Sequence, residues 1–223
     1  MTNNISFSNS EKIAVLTLAS VYGLRMLGLF LIMPVIAIDL NDSSGGNDAL
    51  LVGLVIGIYG LTQAIFQIPF GIASDKFGRK PIIILGLMIF TCASFWAANA
   101  ESIYTLISAR ALQGVGAVSA AASAFLADLT REEVRTKAMA MVGISIGLSF
   151  VISLVFAPIL YGMIGLNGLF YIVGILGIFA ILLVLKIPIV KLPIKKTSFD
   201  NSIYKFNEEL VSILKSIKKL EQF

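Results

Sequence analysis

The sequence predicts an all-α membrane protein: six transmembrane helices, followed by an amphipathic helix on the cytoplasmic surface. Three observations carry this prediction. The 223-residue chain is 57% hydrophobic and 13% charged, with a mean hydropathy of +0.93, whereas a soluble domain carries about 25% charged residues. Its apolar runs approach the roughly 20 residues that a hydrocarbon core demands, and none alternates with the period of two that marks a barrel strand. Its basic residues collect in alternate connections, as cytoplasmic loops do.

The elements follow in order. A cytoplasmic N-terminus, 1–12, precedes a transmembrane domain, 13–190, with spans at roughly 13–38, 50–70, 81–98, 102–126, 138–161 and 168–187. The start, "MTNNISFSNSEK", lacks a basic n-region. The run after it is too long for a signal peptide and has no small-residue cleavage site, so it is expected to remain as the first span. In the second span Tyr59, Gln63 and Gln67 recur at i, i+4 steps and share one helix face. They line a cavity or bond across a helix interface. Small residues crowd the fourth span, "GVGAVSAAASA", and Gly53/Gly57 and Gly143/Gly147 have GxxxG spacing, which predicts close helix packing. The sixth span has Tyr171 as its one polar side chain and is expected to face lipid. Residues 191–223 form a cytoplasmic linker. There Ile203, Phe206, Leu210, Ile213, Leu214, Ile217 and Leu220 recur at helical spacing among lysines, predicting a helix that lies on the leaflet.

Fifteen of the 17 bases fall on one side: Lys12, the 71–80 connection, the 131–137 connection and the chain from Lys186 onward. The opposite loops hold none, but carry Asp39, Asp42, Asp48 and Glu101. Both termini are therefore expected in the cytoplasm. The net charge of +4 is thus a matter of topology and does not point to nucleic acid. The two remaining bases, Arg25 and Arg110, lie within spans, where an arginine costs about 2.5–3.5 kcal/mol. Each must face protein or water. No carboxylate lies mid-span to neutralise them. The reading is a polar cavity lined by the first and fourth spans, against the alternative of arginines capped by backbone carbonyls in a tight bundle. Cys92 is the single cysteine and there is no histidine, so neither an intrachain disulfide nor a thiolate metal site is available. With no nucleophile–base pair and no phosphate loop, neither an enzyme nor a cofactor is expected.

The stretch "GIASDKFGRKP", residues 71–81, places charge between two apolar runs. Gly78 suits a left-handed turn position and Pro81 suits the first turn of a helix. Asp75 does not follow from orientation, but an acid facing a neighbouring helix N-terminus is favoured by its dipole. Asp75 thus reads as half of a docking contact. Together Gly71, Asp75, Gly78, Arg79 and Lys80 resemble motif A of the major facilitator superfamily, and "RALQGVGA", from Arg110 through Gln113 and Gly114 to Ala117, resembles its motif B. The resemblance extends to about residue 190.

That resemblance implies the N-terminal half of the superfamily fold, six helices arranged as 3+3 inverted repeats. It implies a transporter of the cell inner membrane, exporting a small molecule in exchange for protons by alternating access. Asp75 would hold the second span against the second half, and Arg79 would pair with Asp128 to close a cytoplasmic gate. Arg110 would serve proton transfer or substrate charge, with Arg25, Tyr59, Gln63, Gln67, Gln113 and Gly114 at the cavity. The implied partners are a small-molecule substrate, membrane lipid and a second six-helix half, supplied by another polypeptide or a second copy. Two departures stand out. "SLVFAPILYG" has Ala157-Pro158 and Tyr161-Gly162 where the antiporter signature has glycines. The superfamily also has two halves, while this sequence accounts for one. The alternative is a non-transporting remnant, or the partner subunit of a split transporter.

Overall fold

In a computed structural model, residues 6–43, 49–116 and 118–187 are described. The linker 191–223, with its predicted amphipathic helix, and the connection holding Asp48 lie outside them. The described residues are helical throughout, in the order α1 (Asn9–Ser43), α2 (Ala49–Phe77), α3 (Arg79–Ala98), α4 (Ile103–Val115), α5 (Ser119–Asp128) and α6 (Glu132–Lys186). Five stretches are long and apolar enough to cross a membrane: α1, α2, α3, α4 together with α5, and α6.

Local chemistry sets the ends of these helices. Ser8 and Glu11 form a capping box at the start of α1: the Ser8 hydroxyl accepts from the Glu11 amide at 3.3 Å, and the Glu11 carboxylate accepts from the Ser8 amide at 2.7 Å. Ser102 caps α4 by accepting from the Thr105 amide at 3.2 Å. Between α2 and α3 stands one residue, Gly78, with φ of 97°, a backbone that favours glycine. The chain therefore continues as helix through Gly71 and Asp75, past the expected end of the second span near residue 70.

At 55 residues α6 would run about 80 Å as one rod, far beyond a hydrocarbon core of about 30 Å. It is two arms meeting at Gly165, where φ is 66° and ψ −176°. Along the first arm Ser145, Ser149 and Ser153 donate to the carbonyls of Ala19, Gly23 and Leu27 at 2.7, 2.8 and 3.0 Å. This arm therefore runs parallel to α1. Along the second arm the order inverts: Leu169 and Phe170 share a core cluster with Ile32 and Ile36, and Val184 shares one with Val15 and Leu18. The expected loop "GMIGLN" thus shrinks to a single non-helical glycine.

The fourth span departs from expectation as well. It breaks after Val115 and resumes at Ser119. At the break Gly116 crosses α3 so closely that an added Cβ would lie 3.0 Å from that of Phe90 and closer still to the Gly86 carbonyl. The anticipated GxxxG packing is absent, because Gly53, Gly57, Gly143 and Gly147 have nothing within 4 Å of an added Cβ. Close approach is achieved at other glycines. At Gly114 a Cβ would strike the Tyr59 carbonyl and lie 3.1 Å from the Gln63 nitrogen, while Gly174 abuts Phe95.

Two apolar clusters result. One gathers Val15, Leu18, Leu87, Phe125, Leu126 and Val184; the other gathers Ile32, Ile36, Phe90, Leu106, Leu169 and Phe170. Between them, at mid-depth in α1, α3 and the fourth span, lies a polar layer. The Gly114 contact yields a prediction: Gly114→Val pushes α4 off α2 and costs about 1–3 kcal/mol, lowering the thermal midpoint in detergent. Gly57→Ala, on an open helix face, leaves that midpoint unchanged or higher.

Candidate functional site

The polar contacts at one end of the bundle begin with Gly78. Its positive φ turns α2 into α3 within one residue, so Arg79 opens α3 beside the last turn of α2. Arg79 forms an ion pair with Asp75 through Nη1, and the same nitrogen donates to Ser74 Oγ at 2.8 Å. Its Nε donates to Asp128 Oδ2, at the end of α5, at 3.1 Å. Ser74 Oγ in turn donates to the Gly71 carbonyl at 2.7 Å. Lys80 faces elsewhere: its Nζ donates to the carbonyls of Leu185 and Ile187 at 2.8 and 2.6 Å. It serves the carbonyls that a helix end leaves without intrahelical partners.

A second clasp sits at this end. Arg131, between α5 and α6, donates through Nε to Glu11 Oε1 at 2.9 Å and through Nη2 to Glu11 Oε2 at 3.1 Å. The Arg131 amide also donates to Glu11 Oε1 at 3.0 Å, and Nη2 reaches the Ser6 carbonyl at 3.1 Å. Hydrogen bonding to Glu11 raises the Arg131 pKa above its ordinary value. By sequence alone Arg131, like Arg135 and Lys137, is one of the bases that obey membrane topology. The missed signal is the Ser-x-x-Glu box at Ser8–Glu11, which marks Glu11 as a residue with a fixed position.

The mid-depth layer holds both intramembrane arginines, 3% and 1% exposed. Arg25 donates through Nη1 to Ser119 Oγ at 3.0 Å, and through Nη2 to the Gly116 carbonyl at 3.2 Å and the Tyr59 hydroxyl at 3.4 Å. Its guanidinium also lies 5.6 Å from the centre of the Phe90 ring. Arg110 donates to Gln113 Oε1 at 2.6 Å and to the Val55 carbonyl at 3.4 Å, and it stacks 4.6 Å above the Tyr59 ring. Gln113 passes the chain on to Ser94 Oγ at 2.8 Å.

Arg25, Tyr59, Arg110, Gln113 and Gly114 therefore come together, inside the bundle and not on an open groove. Gln63 and Gln67 lie one and two turns further along α2, half-buried. Gly71 is in ordinary contact with Ala120. Ser94 and Ser119 complete the layer. They were invisible in the sequence because a span serine carries no sign of whether it faces lipid, its own helix or a charge.

Apolar helices packed around a polar mid-depth layer, with charged clasps at one end, define a multi-pass membrane protein. Residues 18–221 match the Major Facilitator Superfamily, and the chain belongs to that family of transporters. It is 48% identical to the inner membrane transport protein YajR of Escherichia coli K12 over 171 residues, 77% of this chain and 37% of YajR. It is 34% identical to the class B tetracycline resistance protein of Escherichia coli over 161 residues, 71% of this chain and 38% of that protein. The fold superposes on the human organic anion transporter MFSD10 (TETRAN) with a TM-score of 0.71 at 20% identity, covering 83% of this chain and 49% of the other. The matched region is thus about two fifths of the length of the bacterial relatives.

The Glu11 clasp has a direct test. Glu11→Ala removes the capping box and all three hydrogen bonds from Arg131 to the carboxylate, a loss of about 0.5–2 kcal/mol at a cap alone. Amide exchange in residues 9–12 rises about tenfold or more in this variant, while Glu11→Gln, which keeps an acceptor, rises less.

Proposed function

We propose that the chain supplies the N-terminal six-span part of a small-molecule exporter that works by alternating access, with six membrane crossings as 3+3 inverted repeats. The observation that carries this reading is Arg79 bridging Asp75 and Asp128. The bridge fastens the end of α2 to the end of the fourth span across the one-residue turn at Gly78. In the proposed cycle these residues form the cytoplasmic gate, with Gly71 and Lys80 supporting it. Asp75 retains 33% side-chain exposure, which leaves it accessible to a helix of a second six-span half. That half comes from another polypeptide or a second copy of the chain.

Rigid-body rocking of one half against the other requires each half to hold its own shape, and the clasps of Arg79, Lys80 and Arg131 favour that. We place both termini in the cytoplasm of a cell inner membrane, because the bundle end that carries the clasps is also the basic one. The export direction draws support from the relation to the class B tetracycline resistance protein, and exchange for protons is part of the proposal. With no carboxylate between the span ends, the exchanged proton would be carried at Asp39, at Glu101 or on the second half. The mid-depth layer of Arg25, Tyr59, Arg110, Gln113 and Gly114, approached past Gln63 and Gln67, is the proposed substrate and coupling region.

The gate assignment predicts that Asp75→Asn and Arg79→Ala impair export while membrane insertion stays nearly normal. The assay follows efflux of tetracycline and of fluorescein from cells producing the protein, alongside its abundance in the membrane. Parental efflux rates in both variants would sink the gate.

A further inference from the structure

We propose that a groove at the end of α6 binds an anionic phospholipid, with the phosphate on Lys186 and Lys80 and an acyl chain along Phe179 and Leu182. The proposal needs the chain to be a membrane protein and is independent of the transport reading.

The groove, of about 450 Å3, is lined by Phe179, Leu182, Leu183, Leu185 and Lys186. From Leu166, just after the reversal at Gly165, to Lys186 the second arm of α6 rises about 30 Å. That is one hydrocarbon thickness, so Lys186 stands at headgroup depth while Phe179 and Leu182 lie among acyl chains. Phe179, Leu182 and Leu185 are exposed. Leu183 is half-buried and packs against the core cluster of Val15, Leu18 and Val184, which fixes the inner edge of the groove. Such a wall suits a hydrocarbon chain and offers nothing to a polar ligand.

Charge selects the headgroup. At this end Arg79 and Arg131 are paired with carboxylates, whereas Lys186 makes no ion pair among the described residues. Lys80 Nζ donates to the carbonyls of Leu185 and Ile187, which brings a second ammonium to the residues flanking Lys186. An ammonium carries three N–H groups. Lys80 spends two on these carbonyls and has one left for a phosphate oxygen. The sequence from Val134 to Phe199 contains no acid, so α6 supplies no counter-ion beyond its first turn.

A zwitterionic lipid is the poorer fit. Its own cation would meet two ammonium groups, and the helix-end carbonyls that could receive it are already taken by Lys80. An anionic headgroup meets neither obstacle, and basic residues beside a span are where such lipids are held. Lys80 follows Arg79 in the chain, so a lipid bound here braces the start of α3 beside the Asp75–Arg79–Asp128 bridge.

The full chain is purified in dodecyl maltoside, and bound lipids are counted by native mass spectrometry as phosphatidylglycerol or phosphatidylcholine is titrated. The first phosphatidylglycerol is expected to bind about fivefold or more tightly than the first phosphatidylcholine. Lys186→Gln weakens that first binding about fivefold, the contribution of one basic residue at an anionic headgroup. Lys76→Gln removes the same charge at the same end and leaves the binding unchanged, because α2 makes no contact with α6. Leu182→Trp fills the groove at constant charge and weakens the first binding of both lipids. Lys186 and Leu182 are exposed, so both variants keep the parental thermal midpoint in lipid-free detergent. Should Leu182→Trp lower that midpoint, Leu182→Gln makes the wall polar without added bulk and carries the same expectation. Glycerol 3-phosphate, a headgroup without chains, does not displace the lipid even in large excess. Equal affinity for the two lipids overturns the proposal. So does an equal loss in Lys76→Gln and Lys186→Gln, which marks diffuse surface charge. Parental phosphatidylglycerol binding in the Leu182 variants, or displacement by glycerol 3-phosphate, leaves no role for the groove and overturns it as well. Lipid binding of the expected kind without any export faults the transport reading alone.

Discussion

A polar group at mid-membrane depth must find its partners within the protein, and the break in the fourth span shows how far this constraint reaches. Gly116 passes α3 at Gly86 with no room for a side chain, and at this crossing the helix ends. A broken helix leaves carbonyls unpaired. Arg25 delivers donors to the Gly116 carbonyl and to Ser119, the first residue of α5. The close crossing, the broken helix and the buried arginine therefore depend on one another. The three serines of α6 obey the same constraint: each donates to a carbonyl of α1 and so holds two helices together where lipid offers no hydrophobic incentive to associate.

The charged end of the bundle divides its labour among neighbours in sequence. Arg79 binds α2, α3 and α5 together, while Lys80, next in the chain, turns to the end of α6. Arg131 fastens the start of α1 to the α5–α6 connection. Singly, partly exposed pairs of this kind contribute about 0–1 kcal/mol. Their joint effect lies in geometry, since five of the six helices, all but α4, are referred to one another within a few residues of the same end. The other end is tied by Tyr161 to Asp39 and by Tyr171 to Asn99.

What could be read from the sequence was what hydropathy and charge encode: helical spans, basic residues at one end, two arginines forced inward, and a glycine where the turn into α3 needs positive φ. Arg79 meeting Asp128 was accessible through the motif. Connections were harder to read. "GMIGLN" looks like a loop because it is short and glycine-bearing, yet one glycine suffices for the reversal. GxxxG spacing also misled, because spacing shows that a helix face is smooth and says nothing of whether another helix lies against it. The Gly143/Gly147 face is open, while Ser145 and Ser149, turned toward α1, make the contact. Serines and single glycines act through partners distant in sequence, so their roles emerge only once the helices are placed.

The position of α2 shows why a charged clasp is needed. Only 11% of its span is buried in the bundle, against 56% for α3, and Leu54, Leu61, Ile65 and Ile68 project outward. A helix so little embedded cannot be located by packing, because apolar side chains gain almost nothing by exchanging lipid for protein. It must be located at points of attachment. There are two main ones: the tight contact of Gly114 with the backbone at Tyr59, and the Asp75–Arg79 pair at its end. Between them α2 can tilt without emptying a core. A load applied to Asp75 from outside would therefore be transmitted along α2 to Tyr59, the residue that touches both buried arginines.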